Sequence, residues 1–214
     1  MDRILRSHTS FPSHRKHGFT LIELMISIAI VAILSVIALP SMSDFLVKMR
    51  VDNEISEMQR LLLTARNMAI NTGKNTTVCP LSGTNCVNNW QGELSVFTNS
   101  TNTLINANSY TGPTTSTDAD GNSTTTINDE LIKIKEAIKS GDILQYSPNT
   151  VTNVVYSSTG RLLTTAGNFS YCPKDGADNS RGIDISISGR SYASSDTDND
   201  GKDEDRNGTE IVCN

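Results

Sequence analysis

FTLIELMISIAIVAILSVIAL runs from Phe19 to Leu39 and is apolar apart from one threonine, two serines and Glu23. A helix rises about 1.5 Å per residue, so this stretch would extend roughly 30 Å, the thickness of the hydrocarbon core of a bilayer. An ionised carboxylate at membrane depth costs about 2.5–3.5 kcal/mol, so Glu23 needs a partner or a function there. The segment predicts a transmembrane helix over residues 19–40 in which Glu23 has a specific use.

A short basic leader, residues 1–18, precedes this segment and ends in His-Arg-Lys-His-Gly18. Cleavage between Gly18 and Phe19 would expose an α-amine four residues before Glu23, the spacing of neighbours on a helix face. The N-terminal end of the helix dipole also favours a carboxylate at this position. Between chains, Glu23 of one subunit could meet the amine of the next and set the axial register of a helical stack.

From Gly18 to Glu23 the sequence resembles the type IV prepilin signature: a short basic leader, Gly, then Phe-Thr-Leu-Ile-Glu. The resemblance implies cleavage after Gly18 by a prepilin peptidase, N-methylation of Phe19, and a role for Glu23 in filament assembly. Two alternatives remain. An ordinary secretory signal would be cut after its apolar core, where residues 36–40 make a poor small-x-small site. A plain membrane anchor explains the length of the segment but not the placement of Gly18, Phe19 and Glu23.

Charge predicts the orientation of the chain. The leader holds four of the 18 basic residues and one of the 23 acidic ones, so the remainder carries 14 and 22, a net charge of −8. Positive charge before the apolar run predicts a single-pass inner-membrane protein with a cytoplasmic N-terminus and a periplasmic C-terminal domain. The acidic remainder makes nucleic acid an unlikely partner, because nucleic-acid affinity depends on neutralising phosphates.

Beyond Pro40 an apolar stripe predicts that the helix continues. Its members recur at steps of three and four and are Val51, Ile55, Met58, Leu62, Ala65 and Ala69. The charged residues of this segment lie off the stripe. We therefore expect one helix from about Thr20 to about Asn71, stopped by Gly73, whose amphipathic second half (residues 41–73) packs its stripe under a sheet. The stripe is ordinary core and hides no cofactor site.

The remainder, residues 74–214, predicts a β-rich head. Short strands with two-residue alternation are expected around 76–79, 93–97, 131–135, 143–146, 154–156, 169–172 and 183–187. Residues 98–128 are rich in Thr, Asn and Ser with few large apolar side chains, so we expect a long polar surface loop there. It is either a tolerated insertion or a loop that bears a sugar or contacts a ligand.

The order of elements in the head carries a second resemblance. This order is similar to that of the FimT/GspH group of minor pilins and type II secretion pseudopilins. It consists of a helix end containing Ala65-Arg66, a Val-Cys-Pro strand, Trp90-x-Gly92 and a Val96-Phe97 strand. The resemblance implies an α+β pilin fold: a long N-terminal helix packed on an antiparallel β-sheet domain. It also implies partners, namely other minor and major pilins or pseudopilins and the inner-membrane assembly platform.

Four cysteines lie in the exported part of the chain, where an oxidising periplasm favours two disulfides. Of the three connectivities, proximity in the sequence favours Cys79–Cys86 with Cys172–Cys213. Zinc is the rival, but the x6 spacing of the first pair does not suit a zinc knuckle and all three histidines lie in the leader.

The one cluster that resembles a chemical site is acidic and lies near the C-terminus. Its candidate ligands for a structural Ca²⁺ are Asp196, Asp198, Asp200, Asp203 and Asp205. The first three and Gly201 fit the D-x-D-x-D-G start of a calcium loop, but Asn207 stands at loop position 12 of an EF-hand, so Asp203 or Asp205 would have to replace its Glu. The alternative is a solvated acidic turn that binds no ion.

No catalytic set is visible in the sequence. There is no histidine outside the leader, no Gly-x-Ser-x-Gly elbow and no phosphate-binding glycine loop, so we expect no enzyme and no cofactor beyond the structural Ca²⁺. Arg181, Arg190 and Arg206 could bind DNA, as some FimT relatives are thought to do, but the acidic run lies between the last two.

The two resemblances imply a minor type IV pilin that enters and primes a pilus, near its tip. The alternative in the same class is the minor pseudopilin H of a type II secretion system, which serves protein export. A binding module at the filament tip, for DNA, a surface or a glycan, is the hypothesis from another class. The protein would start in the inner membrane and end in the pilus or pseudopilus.

Overall fold

The computed structural model describes residues 18–100, 108–126 and 128–213, without the side chains of 36–41. The chain divides into two compact units, Met1–Ser43 and Asp44–Asn214. One helix, α1 (Leu21–Thr72), begins in the first unit and ends in the second. It continues past Pro40 and stops before Gly73, as the apolar pattern predicts. The predicted leader lies outside the described residues except for Gly18.

A five-stranded antiparallel sheet forms one layer of the second unit. Its strands are β1 (Thr76–Ser82), β2 (Asn85–Cys86), β3 (Leu94–Thr98), β6 (Glu130–Lys135) and β8 (Val154–Tyr156). The order is β2-β1-β3-β6, and β8 pairs with the part of β1 that β2 leaves unpaired. Val78 of β1 consequently lies opposite Val96 on one side and Val154 on the other. Such cross-strand pairs of β-branched side chains stabilise a sheet.

A second antiparallel sheet has four strands in the order β11-β10-β9-β7. These strands are β7 (Ile143–Ser147), β9 (Gly167–Cys172), β10 (Arg181–Ile185) and β11 (Ser191–Ala193). A short 3-10 helix, Ala177–Asn179, connects β9 to β10. The sequence indicated one antiparallel domain, and the structure divides it between two sheets and a separate hairpin.

The hydrophobic core is a single cluster to which the second half of α1 and both sheets contribute. The buried helix side chains in it are Val47, Val51, Ile55, Met58, Leu61, Leu62, Ala65 and Ala69. All six members of the predicted stripe are among them, so the amphipathic assignment of this helical segment is confirmed. Trp90 lies in the same cluster, its ring centroid 5.0 Å from that of Phe169, and its indole N–H donates to the carbonyl of Val151 at 3.2 Å. The α+β class predicted from the sequence is confirmed.

The prediction of a long loop at 98–128 is wrong in part. A two-stranded antiparallel hairpin, β4 (Thr114–Thr117) with β5 (Ser123–Thr126), lies within it. Every side chain of both strands is exposed, so backbone pairing and cross-strand hydroxyl contacts such as Thr115–Thr125 at 3.2 Å hold the hairpin. Residues 101–107 and 127 lie outside the described residues. The strand predicted at 76–79 extends through Pro80 to Ser82.

Candidate functional site

The N-terminal end of α1 is fixed by a hydrogen-bonded cap. Thr20 immediately precedes the helix, and its Oγ1 accepts a hydrogen bond from the backbone N–H of Glu23 at 3.2 Å, while its carbonyl accepts from the N–H of Leu24 at 3.1 Å. Thr-x-x-Glu is the sequence pattern of a capping box, in which the threonine satisfies one of the helix's unpaired N–H groups. The cap was not among the sequence predictions, although the Thr-x-x-Glu spacing of Thr20 and Glu23 indicates it.

Glu23 is the one charged side chain between Leu21 and Ser35, and it lies in the first turn of α1. The positive end of the helix dipole stabilises a carboxylate at that position. Gly18 and Phe19 precede the helix, have no regular secondary structure, and are exposed. The bond predicted to be cut, between Gly18 and Phe19, is therefore two residues away from the helix start.

The large apolar side chains of this helical segment are exposed in the single chain. They are 53–77% exposed and comprise Leu21, Ile22, Leu24, Met25, Ile26, Ile28, Ile30, Val31, Ile33 and Leu34. The two serine hydroxyls are satisfied within the helix: Ser27 donates to the carbonyl of Glu23 at 2.7 Å and Ser35 to that of Val31 at 2.8 Å. A large exposed apolar surface marks a site that is covered by membrane or by other proteins.

Among the described residues, no helix combines the length and the apolar character needed to cross a membrane. The transmembrane span predicted at 19–40 is therefore unconfirmed.

The second half of α1 is joined to the β-rich head by buried charges that the sequence did not reveal. The Lys135 ammonium, 2% exposed, lies 2.7 Å from Glu54 Oε2 and 3.9 Å from Glu57 Oε2. Arg50 Nε lies 3.1 Å from Oδ2 of Asp142, a carboxylate that also accepts hydrogen bonds from the Tyr171 hydroxyl and, at 2.9 Å, from the Lys174 N–H. These contacts fix which face of the helix meets the sheets.

Both disulfides expected from the sequence are present. Cys79 pairs with Cys86 across the β1–β2 turn, and Cys172 at the end of β9 pairs with Cys213. The second bond attaches the chain's last described residue to the four-stranded sheet. It closes a long segment that holds β10, β11 and the acidic residues.

The acidic loop, residues 196–205, is held in shape by its own carboxylates. Asp196 accepts hydrogen bonds from the N–H groups of Asn199 and Gly201 at 2.7 and 3.0 Å. Asp198 and Asp200 each accept from the backbone N–H two residues further on, at 3.1 and 2.9 Å. These are the Asx turns that short acidic side chains form with their own backbone.

Four carboxylates meet in this loop, and only three of them belong to the set named from the sequence. Oxygens of Asp196, Asp198, Asp200 and Glu204 all lie within 4.8 Å of one another. Glu204 joins the group because it pairs with Ser195 in an isolated β-bridge, and its Oε2 accepts from the N–H and hydroxyl of Thr197 at 2.7 and 2.6 Å. Nothing in the alternating Asp pattern pointed to Glu204.

Asp203 and Asp205, the two further ligands expected from the sequence, are not in this group. Asp203 Oδ2 accepts a hydrogen bond from the Ser194 hydroxyl at 2.7 Å and lies 3.3 Å from Arg181 Nε. Asp205 Oδ1 accepts from the N–H groups of two residues in the next turn, at 2.8 and 2.9 Å. Both side chains have other partners within the domain, so the group of four carboxylates differs from the ligand set named from the sequence.

Two of the three arginines considered for DNA binding are engaged inside the domain. Arg181 Nη1 lies 2.6 Å from Asp52 of α1, in addition to its contact with Asp203. The guanidinium of Arg206 stacks 4.0 Å from the ring centroid of Tyr192. A phosphate would have to compete with these partners beside an acidic loop, which argues against this surface as a nucleic-acid interface.

Two family descriptions match the sequence. The family described as type II transport protein GspH matches residues 54–189. The prokaryotic N-terminal methylation motif matches residues 13–39.

Similar proteins are fimbrial. Two fimbrial proteins of Pseudomonas aeruginosa are 47% identical over 57 residues, 27% of this chain and 36% of their own length. The chain thus spans about a third of the length of these curated relatives.

Solved structures of pilus and secretion proteins are among those similar to this chain. The Pseudomonas aeruginosa type IV minor pilin FimU has a TM-score of 0.47 at 17% identity, over 69% of this chain and 90% of that one. The minor pseudopilin EpsH from the type 2 secretion system of Vibrio cholerae has a TM-score of 0.39 at 16% identity, over 67% and 95%.

Proposed function

Because this chain belongs to the GspH family of type II transport proteins, a family of structural pilins and pseudopilins rather than enzymes, we propose that it is a minor pilin that enters and primes a type IV pilus. In this proposal a prepilin peptidase cuts between Gly18 and Phe19, and the new N-terminus is methylated. The protein waits in the inner membrane as a single-pass subunit with its head in the periplasm. It then leaves the bilayer by joining a filament of other pilins, near the tip.

The observation that carries this proposal is the first segment of α1. It presents ten large exposed apolar side chains and one carboxylate, Glu23, in the turn behind the Thr20 cap. The same apolar surface can be covered by lipid before assembly and by neighbouring helices after it. The match to the N-terminal methylation motif over residues 13–39 supports processing at this place.

Glu23 would supply the direction and register of assembly. Cleavage leaves the amine of Phe19 four residues ahead of the Glu23 carboxylate, and a filament can pair that amine with the carboxylate of an adjacent subunit. Both charges lose water among the packed helices, so an unpaired one is expensive and a paired one is favoured. A subunit in the wrong register would leave both groups unpaired, and this difference in free energy selects the correct one.

Secretion is the second candidate, and a specific observation favours it. The matching family bears the description type II transport protein, whereas the curated relatives are fimbrial proteins. We propose the pilus first because these relatives, 47% identical over 57 residues, are fimbrial proteins. The alternative is the minor pseudopilin H of a type II secretion filament, with the same processing and the same use of Glu23.

The test of the assembly role uses two neighbouring substitutions. Glu23→Ala removes the carboxylate but keeps the backbone N–H that donates a hydrogen bond to Thr20 Oγ1, so the helix should still begin at the same residue. Thr20→Ala removes the cap, at a cost of about 1 kcal/mol, but keeps the charge. We expect both variants to reach the membrane fraction. Glu23→Ala should fall at least about tenfold in sheared filaments, since 1.4 kcal/mol corresponds to a factor of ten, while Thr20→Ala should be incorporated.

Normal incorporation of Glu23→Ala would refute the role given to its carboxylate. An unprocessed N-terminus in the native protein, seen by mass spectrometry, would refute the whole proposal. A deletion strain then separates the two filaments: loss of surface pili and twitching motility with normal exoenzyme secretion supports the pilus. The reverse pattern supports the pseudopilus.

A further inference from the structure

The spacing of the four carboxylates in the acidic loop suits one metal ion. Their oxygens lie within 4.8 Å of one another. Ca²⁺ binds oxygen ligands at about 2.3–2.6 Å, so two ligands on opposite sides of one ion are about 4.6–5.2 Å apart. Asp196, Asp198, Asp200 and Glu204 are therefore close enough together to share a single ion.

Glu204 supplies an independent sign of a ligand, because this side chain is buried and half of its carboxylate lacks a partner. The residue is 5% exposed. Its Oε2 accepts the two hydrogen bonds from Thr197, whereas Oε1 is shielded from solvent and has no hydrogen-bond partner. Buried polar atoms in folded proteins are nearly always paired, and an unpaired anionic oxygen is the most costly kind. A cation bound at this group of carboxylates would satisfy Oε1.

Charge in the loop supports the same conclusion. Among the described residues, no Lys or Arg side chain lies within ion-pair distance of Asp196, Asp198, Asp200 or Glu204. The basic side chain inside the loop, Lys202, is directed to Glu210, with 3.1 Å between Nζ and Oε2. Four carboxylates so close together repel one another at neutral pH, and a divalent cation removes that repulsion.

We propose that Asp196, Asp198, Asp200 and Glu204 form a calcium site. An all-carboxylate ligand set selects a hard cation, whereas zinc prefers histidine and cysteine. Ca²⁺ tolerates irregular geometry and high coordination numbers, whereas Mg²⁺ requires a near-ideal octahedron and gives up its water reluctantly. The ion is structural: it ties the D-x-D-x-D-G turn to the returning strand segment at Glu204.

The test measures calcium binding and thermal unfolding on the full-length chain in detergent, with disulfides intact and metal first removed by EGTA. Variants Asp198→Asn and Glu204→Gln each remove one ligand charge. Asp120→Asn is the matched control, because Asp120 is exposed and belongs to a different acidic turn, outside the cluster. Magnesium chloride at equal ionic strength controls for simple screening of charge.

The wild-type chain should bind one Ca²⁺ with a Kd between about 10 μM and 1 mM. Its Tm should rise by about 5 °C or more at about 100 times the Kd, and less in magnesium. Both cluster variants should bind calcium at least about tenfold more weakly, and Asp120→Asn should bind normally.

The sharpest expectation is that the order of stability of wild type and Glu204→Gln reverses between EGTA and calcium. In EGTA, Glu204→Gln should be at least as stable as wild type, because the substitution removes a buried unpaired charge. In calcium, the wild type should be the more stable protein. A residue needed only for packing would lower Tm in both conditions.

Three results would overturn the proposal. The first is a wild-type chain with no calcium binding and no change in Tm up to about 10 mM Ca²⁺, beyond the range of weak extracellular sites. The second is undiminished binding by both cluster variants. The third is an equal loss of binding in Asp120→Asn. Because Asp198 is exposed, Asp198→Asn should fold even if Glu204→Gln does not, so the assignment can be judged on that variant alone.

Discussion

Substitution of Asp142 by alanine tests how much the buried charges contribute to the attachment of α1. Asp142 is 2% exposed, and its carboxylate lies 3.1 Å from Arg50 Nε on the helix. It also accepts hydrogen bonds from the Tyr171 hydroxyl and the Lys174 N–H. Burial of the Tyr171 ring, followed by its hydrogen bond to Asp142, raises the pKa of this phenol. Asp142→Ala removes the carboxylate that Arg50, Tyr171 and Lys174 share.

The expected cost follows from what the substitution leaves behind. The Tyr171 hydroxyl is buried and would lose its acceptor, which costs about 1–3 kcal/mol. Arg50 is about one quarter exposed, so water recovers part of its lost interaction. Removing one partner of a buried charge pair typically costs about 3–5 kcal/mol, and we expect the lower half of that range. At about 2–4 °C per kcal/mol for a domain of this size, Tm should fall by about 10 °C.

Trp90, the single tryptophan, is buried in the core, so its fluorescence reports unfolding directly in denaturant titrations. Asp142→Asn should lose less, about 1–3 kcal/mol, because the amide oxygen still accepts one hydrogen bond. Asp120→Ala, at an exposed acid, should stay within about 0.5 kcal/mol of wild type. If Asp142→Ala unfolds within about 1 kcal/mol of wild type, the buried contacts described here do not hold the helix to the head.

Three further predictions concern the head. Replacing both cysteines of the Cys172–Cys213 disulfide, which are 41 residues apart, should cost about 4 kcal/mol of stability on the chain-entropy account. The cost for Cys79–Cys86, which are 7 residues apart, should be about 2.5 kcal/mol. Equal losses of stability in denaturant titrations would contradict this difference. Burial raises the pKa of Tyr146 to about 12, above the value near 10 of an unfolded chain. The neutral phenol therefore stabilises the fold below pH 10, and this contribution is lost as the pH rises from 10 to 12. Denaturation midpoints should therefore fall above about pH 10, and less steeply in Tyr146→Phe. Gly189→Ala would place Cβ against the carbonyl oxygen of Gly160 at a φ of +76°, and should cost about 3 kcal/mol or more. Gly83→Ala, at a φ of +62° with open space around it, should cost about 1–2 kcal/mol. Equal losses of stability in the two variants would indicate that the contact with Gly160 is relieved.

The second half of the helix could be predicted from the sequence because its signal is local and periodic. Six apolar residues between Val51 and Ala69 recur at the helical period, and burial requires that they share a face. Strands β3, β6, β7, β8 and β9 were found in the same way, from alternation or short apolar runs. Two-residue strands such as β2 contain too few residues to show any period.

The hairpin within the polar segment could not be predicted by the same reasoning. Its strands contain only threonine and serine, and both faces are exposed, so they show no alternation between apolar and polar positions. The turn that joins the strands carries the signal that was available: Asp118 accepts hydrogen bonds from the N–H groups of Asp120 and Asn122. Low hydrophobicity was read as absence of structure, whereas here backbone pairing suffices.

The acidic loop shows the same division between local and long-range information. The turn at Asp196, Asp198 and Asp200 is encoded within six residues and was recognised. Glu204 belongs to the group of four carboxylates because of its β-bridge to Ser195, whereas Asp203 is held outside the group by its contact with Arg181. Both depend on how the chain returns on itself, which residue spacing alone does not specify.

Arg181 has a mechanical consequence for a subunit that is pulled along its helix. Its guanidinium lies between Asp52 of α1 and Asp203 of the acidic loop, at 2.6 and 3.3 Å. Tension in the helix would reach the C-terminal segment through these two contacts in series. The Arg181–Asp52 pair is about half exposed, and such ion pairs are weak and screened by salt, so this linkage should yield before the hydrogen-bonded sheets do. Stretching such a subunit would first loosen the segment around Asp203, while the Cys172–Cys213 bond limits how far that segment can move.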